Sequence, residues 1–145
     1  MTAPPTQKTP LGNRGRGMEV SIFAELTVLL MVPVFALGRL ATWIDWRVVL
    51  GGSVAMQLIA YFIYGFDKRR AETNGQRVPE NILHAVELLG GWPGAFLAQR
   101  RFRHKISKTS YQVVFWIIVL IHQFIALDFL LSWRLTKEFM RLVSR

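Results

Sequence analysis

The sequence predicts an all-α integral membrane helical bundle with three spans, a broken re-entrant or fourth helix, and a carboxyl-terminal amphipathic helix. Three observations predict it. Of 145 residues, 52% are hydrophobic although the formal net charge is +9, more apolar surface than one small water-soluble domain readily buries. The charges are segregated: Val48 to Phe66 and Thr109 to Leu127 each run nineteen residues without Lys, Arg, Asp or Glu, about 28 Å of helix against a hydrocarbon core of roughly 30 Å. Between Glu87 and Arg100, by contrast, twelve uncharged residues remain. That is about 18 Å of helix, too short to cross.

Taken in order, residues 1–19 hold three prolines with Lys8, Arg14 and Arg16 and few apolar groups, and read as a disordered cytoplasmic tail. A cleavable signal peptide is disfavoured, because the apolar run starts late, is long, and is followed by Arg39. Val20 to Gly38 is the first span, carrying Glu25 and Pro33. Trp43 and Trp46 beside Arg39, Asp45 and Arg47 mark a membrane interface. The second span opens with Gly51, Gly52, Ser53 and Ala55, small residues that predict close helix approach.

A polar segment follows. Asn74-Gly75 signals a turn, and Val78-Pro79-Glu80 a helix start with Pro first and an acid in the first turn. Ile82 to Gln99 is apolar but holds His84 and Glu87, with Gly90, Gly91, Pro93 and Gly94 breaking its middle. It reads as re-entrant or interfacial. The last span ends near Asp128. Ser132 to Arg145 follows as a helix, with Leu135, Phe139 and Leu142 on one side and Arg134, Lys137, Arg141 and Arg145 on another. The expected units are the tail at 1–19, a membrane domain at 20–131 and the basic amphipathic helix at 132–145.

Basic residues set the expected orientation. With three spans and an internal amino terminus, three Lys or Arg in the tail and nine in Asp67 to Tyr111 give twelve inside against six outside. A four-span arrangement gives eleven against seven, so an internal amino terminus is favoured either way. The expected location is the bacterial inner (cytoplasmic) membrane.

Several chemistries fall away. Without cysteine there is neither a disulfide framework nor a thiolate metal site. Leu89 to Gly94, "LGGWPG", lacks the Lys and Ser or Thr of a P-loop and the six-residue dinucleotide fingerprint, and follows a helical pattern instead of a strand. Phe102 alone among Arg100, Arg101, Arg103, Lys105 and Lys108 gives too little aromatic interleaving for a nucleic-acid platform. No cofactor and no metal is expected.

The remaining polar residues form one candidate site. Glu80, His84 and Glu87 share a helical face by their spacing of four and three, an arrangement that admits metal ligation or proton transfer beside its structural reading. If the Leu89 to Gly94 break returns the chain to its side of entry, Arg100 to Lys105 comes beside Asp67 and Lys68, with Arg103 or His104 as partner for Asp67. The basic clusters adjoin apolar segments, where anionic head groups attract them. Glu25 and His122, deeper in their spans, are expected to make interior or inter-helix contacts, and Asp128 to sit at the interface.

The segment "YGFDKRRAETNGQRVPENILHAVELLGGWPGAFLAQRRFRHKISK" resembles a family of small bacterial membrane proteins known only as domain of unknown function 1294. The resemblance rests on Asp67-Lys68, Arg77, Pro79-Glu80, Leu89-Gly90-Gly91 and Phe102-Arg103-His104-Lys105, and covers roughly Ala60 to Leu130. Ile106 stands where such relatives often have Thr. The resemblance implies a membrane location and adds Arg77 to the candidate site, but brings no catalytic residue. Some relatives are similar to a fusion with a cold-shock nucleic-acid-binding domain, for which residues 1–19 offer no room. The function expected first is a structural or partner-binding membrane protein. An anionic-lipid head-group binder or lipid-modifying enzyme comes second and a small transporter third. The expected partners are the bilayer, its anionic head groups or another membrane protein, with nucleic acid disfavoured.

Overall fold

The protein is described by a computed structural model over residues 12–73 and 75–144. Those residues are almost wholly helical: α1 Gly12–Leu40, α2 Trp46–Glu72, α3 Glu80–Val86, a π-helical turn Glu87–Gly91, α4 Trp92–Phe102, α5 Thr109–Leu130 and α6 Arg134–Val143. Three of these helices are long and apolar enough to cross a membrane, over Ser21–Leu40, Trp46–Glu72 and Thr109–Leu130. Helix α1 begins at Gly12, ahead of the expected start at Val20, so part of the expected tail is helical. Residues 1–11, the rest of that tail, lie outside the described residues, as does the Asn74 half of the expected turn.

Local chemistry sets the boundaries. Asp45 caps α2, its carboxylate accepting from the Arg47 amide at 2.8 Å, which satisfies a donor that the helix start leaves orphaned. Pro79 precedes α3 and Pro93 sits in the first turn of α4, where a missing N–H costs nothing. After α5, Ser132 and Trp133 both adopt left-handed backbone (φ 59° and 61°), so the expected helix from Ser132 starts instead at Arg134 as a separate element. Asp128 caps it, accepting from the Leu135 amide at 2.9 Å and the Thr136 amide at 3.3 Å. Every described residue of α6 is exposed, including its apolar side at Leu135, Phe139 and Leu142.

The hairpin of α3 and α4 is the hub. Chain reversal occurs at Gly90, whose φ of 100° is open to glycine at little cost. Both hairpin ends return to the carboxyl terminus of α2, since Asp67 there accepts from the Val78 amide at 2.9 Å and meets His104 at 2.8 Å. The tip reaches Gln57, whose side chain donates to the Gly90 carbonyl at 3.0 Å and accepts from the Gly94 amide at 2.9 Å. Gln57 lies ten residues before Asp67, or about 15 Å, half the thickness of a hydrocarbon core. The element is re-entrant in geometry.

Around it α2 packs on α4, and α1 packs on α5. The core, Ala60, Tyr64, Leu83, Trp92, Ala95, Phe96, Tyr111 and Phe115, belongs largely to the hairpin and the helix faces turned toward it. Contact is closest at Gly91 and Gly94: a Cβ on Gly91 would lie 2.9 Å from that of Ala60, and one on Gly94 would overlap the Gln57 backbone. The small residues of α2 play another part than expected. A Cβ on Gly51 or Gly52 would meet nothing within 4 Å, because the hairpin stops at Gln57 and never reaches them.

Candidate functional site

Two polar assemblies stand on this frame. The inner one centres on Glu87, fully buried in the π-helical turn. Its Oε1 accepts from the hydroxyls of Tyr64, on α2, and Tyr111, on α5, the latter at 3.0 Å. Its Oε2 faces His84 Nδ1, one turn earlier, at 2.7 Å. The two tyrosine hydroxyls also touch each other, Gln99 donates to that of Tyr64 at 3.1 Å, and Gln112 donates to Gln99 at 2.6 Å. His84 stacks on the Tyr111 ring with centroids 4.2 Å apart. One carboxylate thereby joins α2, α5 and both hairpin arms.

Energetics give that arrangement its purpose. In hydrocarbon, apolar burial between helices contributes little, because lipid tails are as apolar as leucine, and packing and hydrogen bonds remain. Each inter-helix hydrogen bond contributes on the order of 0.6 kcal/mol, whereas an unpaired polar group in the same place costs several. Among the described residues no buried side-chain nitrogen or oxygen lacks a partner. The inner assembly is closed and fully satisfied.

The outer assembly is a collar at the end of α2. Asp67, fully buried, meets His104 at 2.8 Å and Lys105 at 3.4 Å. Lys105 also reaches Glu80 at 3.4 Å, and Lys108 pairs with Glu80 at 2.8 Å. The hydrogen bond from Lys108 holds the Glu80 carboxyl below its ordinary value against a smaller opposing effect of burial, with Lys105 adding to the depression. Arg100, lying over the Phe96 ring, pairs with Glu25 of α1 at 2.9 Å.

Asp67 thus meets the Arg100 to Lys105 segment at salt-bridge distance, through His104 and Lys105. Arg103, which ends α4 in left-handed backbone (φ 46°), makes no such contact. Glu80, His84 and Glu87 separate in use, since only the latter two touch, while Glu80 joins the collar. Lys68 pairs on the surface with Glu72 at 3.1 Å. Among the described residues no group of three or more His, Asp or Glu is placed to hold a metal ion. Glu25 and His122 both make inter-helix contacts, Glu25 with Arg100 and His122 with the Trp92 ring at 6.5 Å between centroids, while His122 Nδ1 bonds the Ile118 carbonyl of its own helix at 2.8 Å. Asp128 is fully buried and caps α6.

Tyr64, Tyr111, Gln99, Gln112 and Gln57 were not singled out by sequence reasoning. Their signal is uncharged hydrogen-bonding groups inside segments otherwise apolar, the residues that join helices in a bilayer.

Comparison with known proteins finds its match in the central part of the chain. Residues 57–111 match the family described as protein of unknown function (DUF1294), a stretch that begins at the hairpin-binding Gln57 and ends at Tyr111 of the inner assembly. It stops short of the Leu130 limit suggested by the resemblance. A relative, the uncharacterized protein YsdA of Bacillus subtilis (strain 168), is 30% identical over 59 residues, which are 41% of this chain and 66% of the relative. The matched region thus spans just under two thirds of that relative's length. No solved structure matches. The stretch that matches the DUF1294 family, Gln57 to Tyr111, thus holds the hairpin, Asp67 with its partners, and the Tyr64, Glu87 and Tyr111 cluster.

Proposed function

We propose that the chain is a non-catalytic, partner-binding protein of the bacterial cytoplasmic membrane, with its amino terminus inside, whose basic collar binds anionic lipid head groups. One observation carries this reading. Once internal pairs are assigned, Arg69, Arg70, Arg77, Arg101 and Arg103 have no carboxylate within salt-bridge reach among the described residues. Arg69 and Arg70 close α2, with Arg70 stacked over Phe66 at 4.8 Å, and Arg101 and Arg103 close α4. They lie at the ends of apolar helices, the depth of a head-group layer, where each basic residue adds roughly 1 kcal/mol of attraction to an anionic leaflet.

The buried assemblies fit the same role. Glu87 and Asp67 hold the hairpin in place, and Asp67 with Glu80 neutralises the cations that fasten the fold, so that the arginines remain for phosphate. The test is lipid composition around the protein. Extracted with native lipid, the wild type carries more phosphatidylglycerol than the bulk membrane, and replacing the five arginines with Gln reduces that enrichment at least by half. Equal enrichment in the variant refutes the reading.

A further inference from the structure

Where the hairpin stops, a cavity begins. It has a volume of about 630 Å³ and is lined by residues such as Leu37, Gly52, Trp92, Ile125 and Trp133. Its position follows from the architecture: α1 packs on α5 and α2 on the hairpin, so beyond Gln57 none of the described residues fills the volume that a full fourth span would take. Several polar groups on its wall are already bonded: Ser53 donates to the Val49 carbonyl at 2.7 Å, Gln57 bonds Gly90 and Gly94, and His122 Nδ1 bonds the Ile118 carbonyl. Water lying against this largely apolar lining would find few hydrogen bonds. Hydrocarbon is the filling that the lining fits.

Arg39 follows Gly38 and precedes the wall residue Leu40 at the cavity's α6 end, where the nearby carboxylate, Asp128, is taken up by the amides of Leu135 and Thr136. Arg39 donates to the carbonyls of Phe129 (3.0 Å) and Leu130 (2.6 Å) and to the Ser132 hydroxyl (3.1 Å), with no carboxylate opposite it among the described residues. Trp133, on the cavity wall, is followed by Arg134, and Lys137 and Arg141 continue that cationic side along α6. Helix α6 points its apolar side outward without cover from the described residues, as a helix lying in a head-group layer does.

We propose that this cavity is a binding site for one anionic phospholipid of the surrounding bilayer, with an acyl chain inserted between α1, α2 and the hairpin tip and its phosphate held by Arg39 and Arg134. The site lies at the opposite end of the bundle from the arginine collar and is independent of it.

Gly52 provides the test, because a side chain added there would project into the cavity without first meeting any atom within 4 Å, while neighbouring Gly51 has equal space but does not line the cavity. The full chain, delipidated in detergent, is titrated with phosphatidylglycerol or phosphatidylcholine and the bound lipid is counted by native mass spectrometry. The wild type and Gly51→Phe retain one phosphatidylglycerol, Gly52→Phe loses retention at least tenfold, and phosphatidylcholine is retained at least fivefold more weakly. The five-arginine collar variant keeps this tightly held lipid, which separates the site from the reading above. Circular dichroism verifies folding, and Ala126→Leu, filling the cavity from α5, replaces Gly52→Phe if that variant does not fold. Undiminished retention in a folded cavity-filling variant, or equal retention of the two lipids, overturns the proposal.

Discussion

Gly94 lies directly against the backbone of Gln57, so close that a single methyl group would collide with the Gln57 carbonyl. Gly94→Ala therefore pushes the hairpin tip off α2 and strains both Gln57 hydrogen bonds. Overpacking of this kind costs about 1–3 kcal/mol, while Gly51→Ala, in open space within a helix, gains about 0.4–1 kcal/mol by restricting the unfolded chain. Thermal unfolding in detergent should move in opposite directions for the two variants.

Tyr64→Phe removes a donor to Glu87 and the acceptor of Gln99. With partners left unsatisfied in a buried site, the expected loss is about 1–3 kcal/mol. A double-mutant cycle with Tyr111→Phe should give a non-additive result, because both hydroxyls serve one carboxylate oxygen. Additivity would mean that the two tyrosines act separately.

Asp67→Ala leaves the Val78 amide, His104 and Lys105 without their shared acceptor. Breaking one side of a buried pair costs about 3–5 kcal/mol, while Lys68→Gln, at an exposed pair one residue away, should change stability by less than about 1 kcal/mol. Limited proteolysis at 73–79 and 103–108 should report the difference, with cleavage faster in Asp67→Ala alone.

The Glu80 pair sets a pH dependence. The Glu80 folded-state value is depressed below 4.5 by Lys108 and Lys105, so its contribution is present above 4.5 and is lost as pH falls through the lower folded value. Wild type should exceed Glu80→Gln in stability by less than about 1 kcal/mol at pH 6, given the partial exposure of the pair. The gap should close as pH falls well below 4.5, which paired denaturation curves would measure.

Asp128→Ala removes the α6 cap while leaving α5 apolar. Loss of such a cap costs about 0.5–2 kcal/mol, and the effect should be local. Amide exchange should accelerate over Arg134–Val143 without a matching change in α4.

Charge was the legible part of the sequence. Long charge-free runs located α2 and α5, and the shortfall between Glu87 and Arg100 predicted that the chain dips and returns, because helix length against core thickness is simple arithmetic. The same arithmetic placed Asp67 near His104. It failed at Gly51 and Gly52, since small residues signal a close approach without saying how far the partner extends, and only the three-dimensional position of the tip at Gln57 decides that. Tyr64 and Tyr111 were hidden for another reason: an uncharged hydroxyl inside an apolar run leaves the span pattern unaltered, and its role appears only when Glu87 arrives between the two rings. Of the two partners that spacing offered Asp67, Arg103 and His104, the structure takes His104, a choice that distance along the chain alone could not make.

The tie between Asp67 and His104 spans 37 residues, and this separation sets a clock on biosynthesis. At roughly 5–20 residues per second, a ribosome needs about 2–7 seconds to deliver His104 after Asp67 has been made. During that interval α2 has a carboxylate without its partner, and α5, whose Tyr111 completes the inner assembly, does not yet exist. A nascent chain arrested before Tyr111 therefore has the Gln57 and Asp67 ties between α2 and the hairpin but lacks the α5 hydroxyl that completes the Glu87 cluster.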